Sequence, residues 1–157
     1  MLRLTISVLL ILATPFPSAA AKRPDVGVPF AVIAEPEPGI LADVYDLVIR
    51  DPDRWRQFWL QLHPDTPVPL VDFETRMVVV VSMGTAPFSG IDILVPRVTR
   101  SQGPGIRSLL LTVHVTEVRP GKDCVIHEPY RTTYKLIETE ASHDVTFRRR
   151  NTYRSCR

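Results

Sequence analysis

The sequence predicts a mainly β fold, a small antiparallel β-sandwich or barrel-like domain with one short helix packed on it. Three observations support this prediction. Short apolar or alternating runs recur along the chain, the 15 prolines fall mainly between those runs, and helical periodicity is clear in one stretch only, residues 51–62. Many short strands with turns at such spacing are typical of antiparallel sandwiches and barrels.

The first 21 residues have the layout of a secretory signal peptide. Arg3 gives a positive start, residues 4–13 are almost wholly apolar, and residues 19–21 are alanines that suit cleavage. The apolar run is too short for a membrane anchor, because a membrane-spanning helix needs roughly 20 apolar residues. We therefore expect residues 1–21 to be removed on export, leaving a secreted or periplasmic chain without a transmembrane span.

The chain of 157 residues has room for one domain. Residues 22–49 are expected to supply the N-terminal strands, and residues 50–157 the rest of the same β domain. Residues 22–29 are polar and proline-bearing, so we interpret them as a lead-in. The first strands are predicted at residues 30–34 and 45–49, with a turn of strong breakers between them.

The one predicted helix begins after Asp51, which can act as its N-cap, and Pro52 suits the first helical position. Pro64 is expected to end it. One face of the helix is aromatic and apolar, with Trp55, Phe58, Trp59 and Leu62 at helical spacing. We expect Trp55 and Trp59 to anchor the helix onto a sheet, and an exposed carbohydrate-stacking surface is the alternative.

The later strands begin with residues 77–83, a nearly continuous apolar run that is expected of a central strand covered on both faces. The longest strand is predicted at residues 108–118, where leucine and valine alternate with mostly polar residues. Further strands are predicted at residues 90–99, 124–127, 132–137 and 144–149.

The two cysteines, Cys124 and Cys156, can pair without a remainder in an exported chain. Such a bridge would tie the last residues to an earlier strand, and the chain-entropy model assigns it about 3–4 kcal/mol of stabilisation. A reactive or metal-binding thiol is the alternative, but neither cysteine has a CxxC or histidine-rich neighbourhood.

The charge balance does not favour nucleic acid as a partner. The formal net charge is +2, and removal of Arg3 with the leader lowers it to +1. Basic residues nevertheless cluster late in the chain, at Arg148, Arg149, Arg150, Arg154 and Arg157. We interpret them as a solvated arginine strand and tail, and an anion-binding or membrane-surface patch is the alternative.

No motif in the chain indicates catalysis, and no cofactor is expected. There is no GxSxG elbow and no glycine-rich phosphate loop, and no buried carboxyl can be identified. His114 and His127 could hold a metal with Glu117 or Glu128, but strand-face histidines at this spacing are common in β domains. We therefore expect no catalytic, cofactor or metal site.

Loops on a rigid β scaffold commonly carry recognition, and one loop here is tight and rich in small residues. It consists of Pro87, Phe88, Ser89 and Gly90, with Phe88 as its aromatic tip. Aromatic loop tips such as Phe88 and Tyr130 can anchor a partner. This loop is the predicted partner-contact site, and packing of both rings against the sheet edge is the alternative.

A series of features across residues 51–147 occurs in a distinctive order. The series comprises Trp55, Trp59, Pro69, Val71, Asp72, Phe73, residues 77–81, Met83, Gly84, Ser89, Gly90, Ile91, Pro120, Gly121, Cys124, Val125 and residues 134–137. The order of these features resembles that of the C-terminal domain family named for the PrcB subunit of a bacterial surface protease complex. The chain departs from that family where Ser89-Gly90-Ile91 replaces a Gly-Gly-Tyr-like step.

The resemblance implies a non-catalytic secreted or envelope β domain that binds a protein, such as a protease or an envelope component. The corner at residues 85–90 also resembles the threonine-glycine loop of chagasin-type protease inhibitors. A protease-inhibitor-like domain, a carbohydrate- or ligand-binding domain, and a structural envelope domain without a defined ligand are therefore the alternatives.

Overall fold

The computed structural model describes residues 25–34, 43–86, 91–102, 109–125 and 131–156. Within this part of the chain there are eight strands and one helix. They are β1 (Val26–Val28), β2 (Phe30–Ala34), β3 (Val44–Ile49), α1 (Pro52–Leu62), β4 (Arg76–Ala86), β5 (Asp92–Gln102), β6 (Leu109–Pro120), β7 (Arg131–Glu140) and β8 (Asp144–Arg154). The predicted mainly β fold with one short helix is confirmed.

The strands form two packed sheets of four strands each. Sheet 1 has the order β1-β5-β6-β8, and sheet 2 has the order β2-β7-β4-β3. The described strands thus make a sandwich and do not close into a barrel. The strand pairs are antiparallel except for β6 and β8, which run parallel. The chain passes through β7 in sheet 2 between these two strands, and two reversals bring β8 back in the direction of β6.

The apolar run of β4 faces two different cores, because successive strand side chains point to opposite faces. Met77, Val79 and Val81 lie in the core between the two sheets. Val78 and Val80 lie in a second core, between sheet 2 and α1. All five side chains are fully buried, which confirms the predicted central strand covered on both faces.

The helix α1 begins and packs as its sequence predicts. The Asp51 carboxylate accepts a hydrogen bond of 2.8 Å from the backbone N–H of Arg54, as an N-cap does. The indole N–H of Trp55 donates to the carbonyl of Pro69, and that of Trp59 donates to the carbonyl of Thr66. The two tryptophans are 2% and 4% exposed, so they anchor the helix and do not form an open stacking surface for carbohydrate.

A bulge interrupts the alternation of inward-facing and outward-facing residues in β5. Leu94 lies opposite Thr116 and Arg97 opposite His114, so three steps on β5 match two on β6. The extra residue of β5, beside Pro96, shifts the register of β5 against β6 by one residue, as a β-bulge does. Arg97 is thereby placed on the outer face of sheet 1, the face that points away from sheet 2.

Two predictions about local structure were wrong. The lead-in at residues 22–29 contains the short strand β1, which pairs with β5 through only three residues. The strand predicted at residues 124–127 is not formed at Cys124 and Val125, because the chain turns there and Cys124 N–H donates to the carbonyl of Gly121. Three-residue strands and turns of this kind carry too little periodicity to be recognised in a sequence.

The predicted disulfide between Cys124 and Cys156 is confirmed. It joins the turn after β6 to the end of β8, at the point where Pro120 and Arg154 are in register. A disulfide of this kind fits an oxidising compartment, such as the periplasm or the extracellular space.

Candidate anion-binding site

The residues predicted to contact a partner lie outside the described part of the chain. This applies to the loop of Pro87, Phe88, Ser89 and Gly90, and equally to Tyr130. That loop therefore stays a prediction. The late arginines, in contrast, are described up to Arg154, and they lie on β8.

Strand alternation separates the arginines of β8 into two groups with different surroundings. Arg149 points toward sheet 2, whereas Arg148 and Arg150 point to the outer face of sheet 1. On that face, β8 lies beside β6 in a register that sets Arg148 next to His114. The β5 bulge sets Arg97 on the other side of His114. One row across three strands is therefore Arg97, His114 and Arg148.

These side chains line a concave site that we call the arginine cavity. Its volume is about 320 Å³, and it is lined by Pro96, Arg97, His114, Val115, Arg148, Arg149 and Arg150. Arg150 stands one row further along β8, and its Nε donates a hydrogen bond of 2.9 Å to the Thr116 hydroxyl. The cavity is thus lined by three arginines of which one, Arg97, lies 51 residues before Arg148 in the sequence.

The guanidinium groups of the arginine cavity have no carboxylate partner among the described residues. Arg97 and Arg148 make neither an ion pair nor a side-chain hydrogen bond in this part of the chain, and Arg150 bonds only to a hydroxyl. Elsewhere on the same sandwich, arginines are paired: Arg100 with Glu140, and Arg119 with Glu117. The cavity is therefore a localised site of excess positive charge, although the Asp25 carboxylate lies close enough to act on His114.

Burial and the charges that surround His114 in the cavity shift the pKa of its imidazole. Burial lowers the pKa of its imidazole below the ordinary value of 6.5, and the guanidinium charges of Arg97, Arg148 and Arg150 lower it further. The carboxylate of Asp25, before β1, acts in the opposite direction but does not reverse the shift. The Nε2 atom of His114 lies 3.0 Å from the Thr99 hydroxyl. The imidazole is thus neutral at pH 7 and can take part in hydrogen bonding to a bound group.

Arg149 performs a structural role that contrasts with that of its neighbours. Its guanidinium spans the gap between the sheets and donates to Asp46 of β3 at 2.5 Å and to Glu117 of β6 at 2.7 Å. It also donates to the backbone carbonyl of Ser82 at 3.0 Å. Burial would raise the pKa of Glu117, but the hydrogen bonds from Arg119 and Arg149 outweigh it and hold that pKa below its usual range.

His114 and Glu117, two of the candidate metal ligands in the sequence, are not brought together. His114 lies on the outer face of sheet 1, while Glu117 faces sheet 2 and binds Arg119 and Arg149. His127 and Glu128 lie outside the described residues. Across the described residues, His, Cys, Asp and Glu side chains nowhere gather in groups of three or more that could bind a metal ion.

A second recess, which is apolar, lies beside α1 on the other side of the sandwich. Its volume is about 290 Å³, and Trp55, Val68, Leu70 and Phe73 contribute to its lining. Leu70 is 99% exposed at its rim. This position, remote from sheet 1, makes Leu70 a useful control site for binding experiments.

Among the described helices, none has the length and apolar character needed to cross a membrane.

Sequence reasoning missed the arginine cavity because it grouped arginines by their proximity along the chain. Arg97 was not included, and Arg149 was placed with residues that point the other way. The alternating pattern of strands could have separated Arg149 from Arg148 and Arg150. The bulge that turns Arg97 outward had one signal in the sequence, the proline at position 96 within a strand.

Comparison with known proteins gave no match: no family model, curated protein sequence or solved structure is significantly similar to this chain. The resemblance to the PrcB C-terminal domain family stays a prediction. Function is therefore inferred from the geometry of the chain's own residues.

Proposed function

We propose that this protein is a non-catalytic binding domain of the periplasm or the extracellular space, and that it recognises an acidic segment of a partner protein at the arginine cavity. The observation that carries the proposal is the set of three guanidinium groups, from Arg97, Arg148 and Arg150, that share one cavity without a carboxylate partner among the described residues.

Such a cluster opposes folding, which supports a binding role for it. Arg148 and Arg150 lie two positions apart on one face of β8, and Arg97 lies across β6 in the same row as Arg148, so their like charges repel one another. Burial and these charges together lower the pKa of His114. An anion in the cavity would relieve this repulsion. Guanidinium groups suit the task, because their fork of N–H donors matches the two oxygens of a carboxylate.

Charge and compartment favour a protein as the source of the anion. The chain carries 19 basic and 17 acidic residues, so it has no general excess of positive charge of the kind that binds nucleic acid. The disulfide fits an exported protein, whose partners are themselves exported. The resemblance to the PrcB family supports a protease or an envelope component as the partner class.

The proposal is tested by titrating the oxidised protein into a fluorescein-labelled peptide of alternating threonine and glutamate and following fluorescence anisotropy. Arg148→Gln is expected to weaken binding roughly tenfold, which corresponds to about 1.4 kcal/mol. Arg54→Gln removes the same charge from the exposed surface of α1, outside the lining of either recess, and is the matched control. It is expected to leave the affinity within about twofold, because screening weakens remote surface charges.

Three results would contradict the proposal. If Arg148→Gln and Arg54→Gln weaken binding equally, the peptide responds to net charge and not to the cavity. If Leu70→Ser abolishes binding while Arg148→Gln does not, the apolar recess beside α1 is the binding site. A purely structural envelope domain would show no binding of the peptide at all.

A further inference from the structure

The outer edge of β8 is free of a strand partner in the described part of the chain. Sheet 1 ends at β8, which pairs only with β6. The edge of a sheet presents backbone N–H and C=O groups that can pair with another extended chain. The arginine cavity therefore lies next to a strand edge that is itself able to form hydrogen bonds.

β8 is the longest of the four edge strands that the described residues form. It has 11 residues, whereas β1, β2 and β3 have 3, 5 and 6. Proteins commonly keep edge strands short, because long edges invite pairing. Arg149 also fastens β8 to sheet 2 through Asp46 and the Ser82 carbonyl, so the long edge is held in position.

The charges on β8 determine which kind of extended segment can pair with its outer edge. Arg148 and Arg150 stand on the same face of β8 and are exposed. A second copy of the chain that met this stretch edge to edge would set arginine opposite arginine, which is destabilising. An extended segment with acidic residues at alternate positions would instead set a carboxylate opposite each guanidinium.

We propose that the acidic segment of the partner adds to β8 as a fifth strand of sheet 1. This inference rests on the proposed function and names its binding mode. A paired strand would lie about 4.8 Å from β8, and residues two apart on it would be separated by about 6.8 Å, as Arg148 and Arg150 are on β8. The segment therefore has the pattern acidic–neutral–acidic. The central residue would lie opposite Arg149, whose charge Asp46 and Glu117 already neutralise.

The same geometry predicts which of the three arginines contributes most to the affinity for the added strand. Arg148 and Arg150 would lie directly across from the added strand, whereas Arg97 stands on β5, two strands further into the sheet. Neighbouring strands are about 4.8 Å apart, so Arg97 would lie roughly 14 Å from the added backbone. Strand addition thus predicts a larger effect of Arg148→Gln than of Arg97→Gln. A free anion within the arginine cavity would depend on both residues alike.

The experiment compares four peptides of seven residues on the oxidised protein, each by isothermal titration calorimetry. The parent alternates threonine and glutamate, and a second peptide has glutamine in place of glutamate. Two further peptides carry N-methyl groups on one or the other set of alternate backbone amides, since only one set can face β8. Amide hydrogen exchange of β8 is measured with and without the parent peptide.

The expected result is that one N-methylated peptide and the glutamine peptide each bind at least tenfold more weakly than the parent, while the other N-methylated peptide binds within about threefold. Arg148→Gln is expected to weaken the parent at least fivefold more than Arg97→Gln does, and amides on the outer edge of β8 become protected. If both N-methylated peptides bind like the parent, strand addition is wrong while recognition of an acidic segment stands. If the glutamine peptide equals the parent, or the parent does not bind, the proposed function itself is wrong.

Discussion

Replacing Arg149 with methionine is expected to destabilise the fold strongly, because the guanidinium joins the two sheets. In the native protein it binds Asp46 at 2.5 Å and Glu117 at 2.7 Å, and the side chains of Arg149 and Glu117 are 23% and 11% exposed. Methionine keeps an apolar stem but leaves Glu117 with Arg119 as its remaining cationic partner. Breaking a buried ion pair on one side typically costs 3–5 kcal/mol, and partial exposure reduces this to about 2–4 kcal/mol here.

The assay is urea unfolding followed by tryptophan fluorescence, since Trp55 and Trp59 are buried in the native state. The pH dependence gives a second readout. The folded-state pKa of Glu117 is below its usual value, so its contribution to stability is present above the unfolded-state pKa of about 4.5 and is lost as pH falls through the folded-state pKa. Arg149→Met raises that folded-state pKa. The stability difference between wild type and variant should therefore narrow as the pH is lowered from 7 toward 3.

The matched control is Arg148→Met, the neighbouring residue on the same strand. Arg148 is exposed and has no carboxylate partner among the described residues, so its replacement is expected to change the free energy of unfolding by no more than about 0.5 kcal/mol. Adding Glu117→Gln to Arg149→Met is expected to recover part of the loss, because glutamine carries no buried charge. Equal effects of Arg148→Met and Arg149→Met would refute the inter-sheet role of Arg149.

The remaining predictions concern the disulfide, the helix anchor and the cavity histidine. Replacing Cys124 and Cys156 with serine should lower the free energy of unfolding in urea by about 3–4 kcal/mol, since the bridge spans 32 residues; an unchanged midpoint would contradict this. Trp59→Ala should lower it by about 3–5 kcal/mol through loss of a buried ring, in the same assay; a loss below 1 kcal/mol would mean that the ring is not a packing anchor. The pKa of His114 measured by NMR titration should lie below 6.5 and rise in Arg97→Gln. Its contribution to stability should therefore be full above pH 6.5 and decline as the pH falls below that value, and a pKa above 6.5 would contradict the charge distribution of the cavity.

Local patterns determined most of the architecture of this protein. The N-cap Asp51 and the aromatic spacing that follows it are sufficient for α1, because capping and periodicity act within one or two turns. The apolar run of β4 indicated a strand covered on both faces, and two cysteines without a remainder indicated the bridge. These inferences hold because the helix and the strand depend on residues close in sequence, and the disulfide depends on the number of cysteines.

The tertiary structure alone decided which charged groups meet. The parallel pairing of β6 with β8 sets His114 beside Arg148, and the bulge at Pro96 brings Arg97 to the same row. Strand alternation turns Arg149 away from Arg148 and Arg150, but only the packing of sheet 1 on sheet 2 sets it beside Asp46. Pairing between distant strands depends on register and on the order of strands in a sheet, and neither quantity is carried by the residues of any one segment.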